Sequence, residues 1–413
     1  MIIFSTRTAA AVTMSCDGAN DLEGDLLSSE ERENLAGTGL LASSVEAEQQ
    51  EMLGYIDAMN RLTTTIKPII VLNLDCNLAC PYCFEGNRKG KYFLSEETAD
   101  EIVRFIGSRL PGKNIISPVF YGGEPLLSGD MIVQLSRMFQ DLAAANGVGY
   151  EFGMITNGTL LNRPLVERLR PLGLRAANVT LDGPRNVHNT SRPFTNGAGS
   201  FDTIVRNLRE VCGLIEVHLG GNYTRDNYRE FPLLLDHLLM SGLGPDRIAS
   251  VEFSPVLNES LEFVPDFQGG CLSAGEPWAI EAGMLLRHET LSRGFRVSPV
   301  EPAVCMIERN EHFVVNWNGE LYKCPCLIGR KDFCVGTVRF GMQDCSKSHN
   351  LGNWKNDPCL SCRYLPLCFG GCRYVQLLRR GSMDGIECKK EFFDRALLEL
   401  VLQDMARVAA EAR

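Results

Sequence analysis

Between residues 67 and 255 the chain repeats one unit, a short apolar run followed by a longer stretch of helical periodicity. The runs fall at 69–74, 115–121, 151–156, 176–181, 215–222 and 248–255. Most are apolar throughout rather than alternating, as parallel strands covered on both faces are. Helical segments lie between them, for example 96–110 behind the capping Ser95, 130–145 and 203–212. Repeated strand–helix units predict an α/β fold. Its parallel sheet should curl into a full or partial barrel, with the functional site at the carboxyl ends of the strands.

One of those ends is chemically distinctive. The run Cys76-Asn77-Leu78-Ala79-Cys80-Pro81-Tyr82-Cys83 directly follows the first strand. Intervals of three and two residues let a tight loop bring three thiolates to one metal centre. Three protein ligands on a four-iron cubane leave one iron free for chemistry. A zinc knuckle or a set of spare thiols is the alternative. Gly122-Gly123-Glu124-Pro125 follows the second strand, where glycines allow close approach of backbone to a ligand. Thr156-Asn157-Gly158 ends the third. Thr180-Leu181-Asp182-Gly183-Pro184 ends the fourth and is followed by His188 and Arg192, and Asn222 ends the fifth.

This layout resembles the radical S-adenosylmethionine (SAM) enzymes and their partial (β/α)6 barrel. The resemblance implies that Cys76, Cys80 and Cys83 hold a [4Fe–4S] cluster whose open iron chelates the methionine end of SAM. It implies that Gly122, Gly123 and Glu124 meet the SAM amino group, and that Thr156 and Asn157 lie near its ribose and carboxylate. Arg192 is the candidate partner of that carboxylate and Asn222 a further SAM contact. His188 reads as structural. No catalytic residue beyond the cluster is assigned.

The C-terminal region carries a second cysteine pattern. Cys305, Gly319 and Cys324 are followed by Cys359, Cys362, Cys368, Cys372 and Cys388. The spacing resembles the seven-cysteine SPASM domain, which implies two auxiliary [4Fe–4S] clusters and so three in all. Cys359, Cys362, Cys368 and Cys388 would hold one. Cys305, Cys324 and Cys372 would hold the other, with Cys271, Cys326 and Cys334 as candidates for its fourth ligand, or with that iron left open for a substrate sulfur or amide. Zinc in place of the clusters is the alternative, since thiolate sites accept both.

The expected domains are a small N-terminal module (1–66), a radical SAM core (67–265), a connecting segment (266–304) and an auxiliary-cluster domain with a terminal helix (305–413). The N-terminal module begins with a hairpin-like stretch, 2–15, followed by helices near 29–34 and 45–62. The terminal helix places Phe393, Leu397, Val401 and Met405 on one face.

Charge and composition exclude several classes. A formal charge of −10 opposes a nucleic-acid partner. No apolar run reaches the ~20 residues of a membrane helix. No basic region precedes the N-terminal apolar stretch, so no secretory signal is expected. The expected compartment is the cytoplasm, where sixteen cysteines point to metal ligation rather than disulfides.

The resemblance implies a peptide maturase acting on a ribosomally made precursor peptide, with a layout like the geopeptide-type maturases. A thioether crosslink is the expected product. A low-potential donor such as a flavodoxin or ferredoxin is the expected electron source. The N-terminal module could recognise a leader peptide by strand addition. Sulfatase maturases are the competing subclass. They carry an aspartate base directly after the cysteine matching Cys324, where this chain has Pro325. A non-catalytic iron–sulfur or zinc protein is the reading from another class.

Overall fold

The six apolar runs become the six parallel strands of one sheet. A computed structural model describes residues 2–15, 26–257, 271 and 275–411, so Cys16 lies outside the described residues. The chain divides into two compact units. One combines Met1–Leu62, Pro299–Arg309 and Asn350–Arg413; the other combines Thr63–Ser298 and Asn310–His349. The boundaries drawn from sequence at 66 and 304 do not coincide with these. The N-terminal segment shares its unit with the C-terminal one, and 310–349 belongs with the sheet.

The first unit begins with the antiparallel pair β1 (Ile2–Phe4) and β2 (Ala11–Thr13), then α1 (Ser29–Gly37) and α2 (Val45–Leu62). Ser28 and Glu31 form a reciprocal capping box at the start of α1.

The second unit opens with β3 (Thr65–Ile66), β4 (Ile69–Asn73) and α3 (Glu96–Gly107). Next come β5 (Ile115–Ile116), β6 (Val119–Gly122), α4 (Gly129–Asn146), β7 (Gly149–Tyr150) and β8 (Phe152–Thr156). The chain continues through α5 (Arg163–Leu169), β9 (Leu174–Thr180), α6 (Arg185–Ser191), α7 (Phe201–Val211), β10 (Glu216–Tyr223) and α8 (Phe231–Met240). It closes with β11 (Ser250–Pro255) and α9 (Pro277–Ser292). The strands β4, β6, β8, β9, β10 and β11 lie side by side in sequence order, every neighbouring pair parallel. β11 has no pairing to β4, so the barrel is open.

The expected run at 115–121 is split, and a short strand precedes the run at 69–74. β3 and β4 flank Pro68, and β5 and β6 flank Pro118. Proline has no N–H to give the ladder. The short strands β3, β5 and β7 therefore form a separate three-stranded parallel sheet.

The strands β12 (Val314–Val315) and β13 (Leu321–Tyr322) extend the large sheet beyond β4, β12 parallel to β4 and β13 antiparallel to β12. A small hairpin, β14 (Gly336–Thr337) and β15 (Gly341–Met342), follows.

The helices bury one stripe each against the sheet. Ala99, Ile102 and Ile106 of α3 and Ile132, Leu135 and Phe139 of α4 are buried. Phe201, Ile204, Leu208 and Val211 of α7 are buried too, all at helical spacing. Ser95 caps α3 by accepting from the Thr98 amide at 3.1 Å.

The first unit ends with α10 (Asp357–Leu360), α11 (Leu365–Cys368), α12 (Arg373–Arg380) and α13 (Lys390–Glu411). Met52 and Ile56 of α2 pack with Trp354, Leu365 and Phe369. Arg373 is wholly buried here. It donates to Phe369 O at 3.0 Å and Gly371 O at 2.8 Å and pairs with Glu308. Arg373→Met should cost about 3–5 kcal/mol, because it strands the Glu308 charge; chemical denaturation reads it out. No helix among the described residues is long and apolar enough to cross a membrane.

Candidate functional site

The carboxyl ends of the parallel strands close around a cavity of about 370 Å³, within the usual range for a small-molecule site. Cys76, Cys80 and Cys83 line it, as do Gly122, Gly123, Thr156, Asn157, Arg192 and Asn222. Residues from five strand ends therefore converge, although they span about 150 positions of sequence.

The cysteine loop is held on both flanks. The Ala79 amide donates to Pro193 O at 2.8 Å, and the Thr195 amide to Asn77 O at 3.1 Å. Asn77 donates to Thr159 Oγ1 at 2.9 Å and accepts from Asn157 Nδ2 at 2.8 Å. The Leu78 amide donates to Cys76 Sγ at 3.4 Å. Burial pushes the Cys76 thiol up to about 11 and raises Cys80 as well, so these sulfurs ionise readily only against a cation. Among the described residues, no three His, Cys, Asp or Glu side chains stand close enough to share one bare metal ion. The trio rings the cavity.

The glycine pair is required by packing. A Cβ on Gly122 would stand 2.5 Å from Asn73 O, and one on Gly123 would stand 2.3 Å from Asp75 O. The exits of β4 and β6 thus touch backbone to backbone. The Gly123 amide donates to Asn73 O at 3.1 Å and the Glu124 amide to Asp75 O at 2.8 Å.

Glu124 differs from its neighbours. It is fully buried and does not line the cavity. Its carboxylate accepts from Thr156 Oγ1 at 2.7 Å, the Asn157 amide at 2.8 Å and the Leu126 amide at 3.0 Å. Burial raises its pKa and these bonds oppose the rise. Glu124 therefore ties the β6 exit to the β8 exit, beneath the cavity wall.

Sequence reasoning missed the network behind Arg192. Arg192 Nη1 donates to Tyr82 Oη at 2.8 Å, and Tyr82 donates to Asp182. Asp182 also accepts from the Asn222 amide at 2.7 Å and stands 3.7 Å from Arg192. One buried carboxylate thus orients Tyr82, Arg192 and Asn222. Lys89 was missed too, although a basic residue six positions after Cys83 was a usable signal. Burial alone would lower its pKa, but the sulfurs of Cys83, Cys76 and Cys80 outweigh that and raise it. Glu85, pushed up to about 7 by burial, and Tyr121 and Cys326 complete this wall.

His188 is structural in its contacts. Its Nδ1 accepts from the Asp182 amide at 3.1 Å, which leaves the proton on Nε2, 3.0 Å from Ser200 Oγ. Ser200 Oγ donates to Arg192 O at 2.6 Å. Burial, helped by Arg192, pushes His188 down to about 3. A histidine with a lowered native pKa costs nothing above pH 6.5, and the unfolded chain binds its proton more strongly below that. Stability should therefore fall as pH drops from 6.5 towards 3, by about 2 kcal/mol at pH 5 from this residue. In thermal melts from pH 7 to 5, His188→Gln should flatten the decline.

In the first unit, Cys359 lies within electrostatic reach of Cys362 and Cys388, and Cys368 within reach of Cys359 and Cys362. Burial pushes the Cys368 thiol up to about 11, and the neighbouring Gly370 amide opposes the rise. Cys305 and Cys372 belong to this unit and Cys324 to the other. Cys334 donates to Gly336 O at 3.2 Å, and Cys271 is buried.

Residues 70–238 match the family described as the Radical SAM superfamily. The Fe-coproporphyrin III synthase of Methanosarcina barkeri is 31% identical over 42% of this chain, and the chain covers only 41% of that enzyme. A cysteine-type anaerobic sulfatase-maturating enzyme of Clostridium perfringens is 24% identical over 83% of this chain and 98% of its own length. Crystal structures of Streptococcus suis SuiB, bound to S-adenosylmethionine and to the precursor peptide SuiA, share the fold. Their TM-scores are 0.57 and 0.54 at 15% and 14% identity, covering 94% of this chain and 97% of theirs.

Proposed function

We propose, from the match of residues 70–238 to the Radical SAM superfamily, that this chain is a peptide maturase that oxidatively modifies a ribosomally made precursor. The observation that carries the reading is the single cavity shared by Cys76, Cys80, Cys83, the glycine pair, Asn157, Arg192 and Asn222.

The residues fit the cofactors. The three cysteines would hold a [4Fe–4S] cluster, with the Leu78 amide supporting the Cys76 thiolate. The side-chain-free edge of Gly122–Gly123 would take the SAM amino group, and the Arg192 cation would neutralise the SAM carboxylate. Bound together and supplied with an electron by an external reductant, cluster and SAM would provide hydrogen-atom abstraction from a peptide carbon.

The chain's own part is positioning. Asp182 fixes Arg192 and Tyr82, Glu124 braces the strand exits, and Lys89 offsets the charge of the thiolates. Asp182→Asn should raise the KM for SAM about tenfold, about 1.4 kcal/mol, with iron content unchanged.

The cysteine spacing supports one auxiliary cluster at Cys359, Cys362, Cys368 and Cys388 and another drawing on Cys305, Cys324 and Cys372. The hairpin β1–β2 pairs with no other strand among the described residues. Its edge could take a leader peptide as an added strand. The peptide-bound state of SuiB supports such a substrate. A thioether crosslink is the product we propose.

Formylglycine formation is a second reading, supported by the near full-length match to a sulfatase-maturating enzyme. Pro325, at the position of that subclass's base, speaks against it. The test is anaerobic incubation of the reconstituted protein with SAM, a reductant and a cysteine-containing peptide. Production of 5′-deoxyadenosine with a peptide that loses two hydrogens and keeps its sulfur supports the crosslink. Loss of the sulfur selects formylglycine. No 5′-deoxyadenosine under any condition overturns the function.

A further inference from the structure

The resemblance places Asn157 near the ribose and carboxylate of SAM, yet its side chain has no hydrogen bond left to make there. Its Oδ1 accepts from the Thr159 amide at 2.9 Å and from Thr159 Oγ1 at 2.6 Å. Its Nδ2 donates to Asn77 Oδ1 at 2.8 Å and to Cys76 Sγ at 3.9 Å. A carboxamide offers two acceptor positions and two donors, and all four are used. The way round is fixed as well. A backbone N–H can only donate, so the Asn157 atom facing the Thr159 amide is the oxygen, and the NH2 group must face Asn77 and Cys76.

Three side chains close a ring. Asn157 Nδ2 donates to Asn77 Oδ1, Asn77 Nδ2 donates to Thr159 Oγ1 at 2.9 Å, and Thr159 Oγ1 donates back to Asn157 Oδ1. Bonds running head to tail polarise one another, and each holds the next side chain in place. The ring joins the turn after β8 to the cysteine loop after β4, and both Asn157 and Thr159 are buried. Asn207 of α7, also buried, holds the same turn by donating to Gly158 O and Thr159 O, both at 2.9 Å. Cys76 Sγ therefore accepts two N–H groups, one from the Leu78 amide at 3.4 Å and one from Asn157. Thr159 itself does not line the cavity.

We propose that Thr159 and Asn77 aim the Asn157 amide at the Cys76 sulfur, so that Asn157 serves the cluster as a hydrogen-bond donor rather than SAM as a ligand, and raises the cluster's reduction potential. The inference rests on the reading of Cys76, Cys80 and Cys83 as cluster ligands. Reduction adds one negative charge to the site, and an N–H aimed at a ligand sulfur stabilises that charge. The ring thus decides how strong an external reductant the site demands. Thr159 and Asn77 are positioning residues, acting through Asn157.

The test is a potentiometric titration of the reconstituted full chain. It follows the reduced-cluster electron paramagnetic resonance signal that added SAM perturbs. Thr159→Val keeps the side-chain volume and removes the hydroxyl that closes the ring. It should make reduction about tenfold less favourable, about 59 mV lower for one electron. Thr159→Ser keeps the hydroxyl and should restore the wild-type potential. SAM affinity by equilibrium dialysis should change by less than about twofold in both. An unchanged potential in Thr159→Val overturns the proposal. A SAM affinity about tenfold weaker at unchanged potential makes Asn157 a cofactor contact and overturns it too.

A measurement on the unmutated protein does not depend on how the variants fold. With nitrogen-15 placed in the asparagine side-chain amides, pulsed electron paramagnetic resonance should detect a labelled nitrogen coupled to the SAM-sensitive cluster. Absence of that coupling overturns the assignment. No SAM-sensitive signal at all in the unmutated protein overturns the radical SAM reading itself, and the inference with it.

Discussion

Cys80→Ala should abolish formation of 5′-deoxyadenosine. Cys80 is the middle of the proposed three in sequence and lines the cavity together with the other two. A cubane held by two thiolates loses its fixed orientation and readily sheds iron, so no partial activity is expected. The fall should exceed about a thousandfold, beyond the reach of a positioning defect. Liquid chromatography of quenched reactions measures it. Iron content should drop by about four atoms per chain, with Cys359, Cys362, Cys368 and Cys388 still loaded. A variant that keeps wild-type turnover removes the trio from the chemistry and with it the proposed function.

Gly123→Ala is the second large effect. The new methyl would stand 2.3 Å from Asp75 O and 2.7 Å from Asp75 C, both backbone atoms one residue before Cys76. Neither can rotate away, so the exits of β4 and β6 must part. Forced overpacking of this kind costs about 1–3 kcal/mol of stability. The functional loss should be greater, because parting the exits breaks the Glu124 amide bond to Asp75 O and displaces the cysteine loop. SAM affinity should fall about a hundredfold by equilibrium dialysis. Gly129→Ala is the control, since a Cβ there meets nothing within 4 Å and the residue starts a helix.

The sheet was legible because its strands recur between helical stretches, and β4, buried almost throughout, is the clearest covered apolar run among them. The strands β12 and β13 left no such mark. Each is two residues long, too short for any period, and only their pairing beside β4 identifies them. The short helices α5 and α6 have too few turns to show periodicity. At the site, local features were readable and distant pairings were not. The cysteine trio is a matter of spacing within eight residues. Tyr82, Asp182 and Arg192 meet across about 100 residues, and nothing in one segment announces the others. Glu124 is the instructive difference. A carboxylate beside two glycines reads as facing a ligand. Its partners Thr156 and Asn157 lie 32 and 33 residues on, and only the folded chain brings them to it.

The division of the chain has a consequence for biosynthesis. The first 62 residues leave the ribosome before any of the sheet, yet the residues they pack with are 299–309 and 350–413. Met52 and Ile56 must wait for Trp354 and Phe369 to be translated. During that interval an acidic, partly apolar segment trails unmated from a nascent chain whose parallel strands can already pair, and co-translational holdases would find it there.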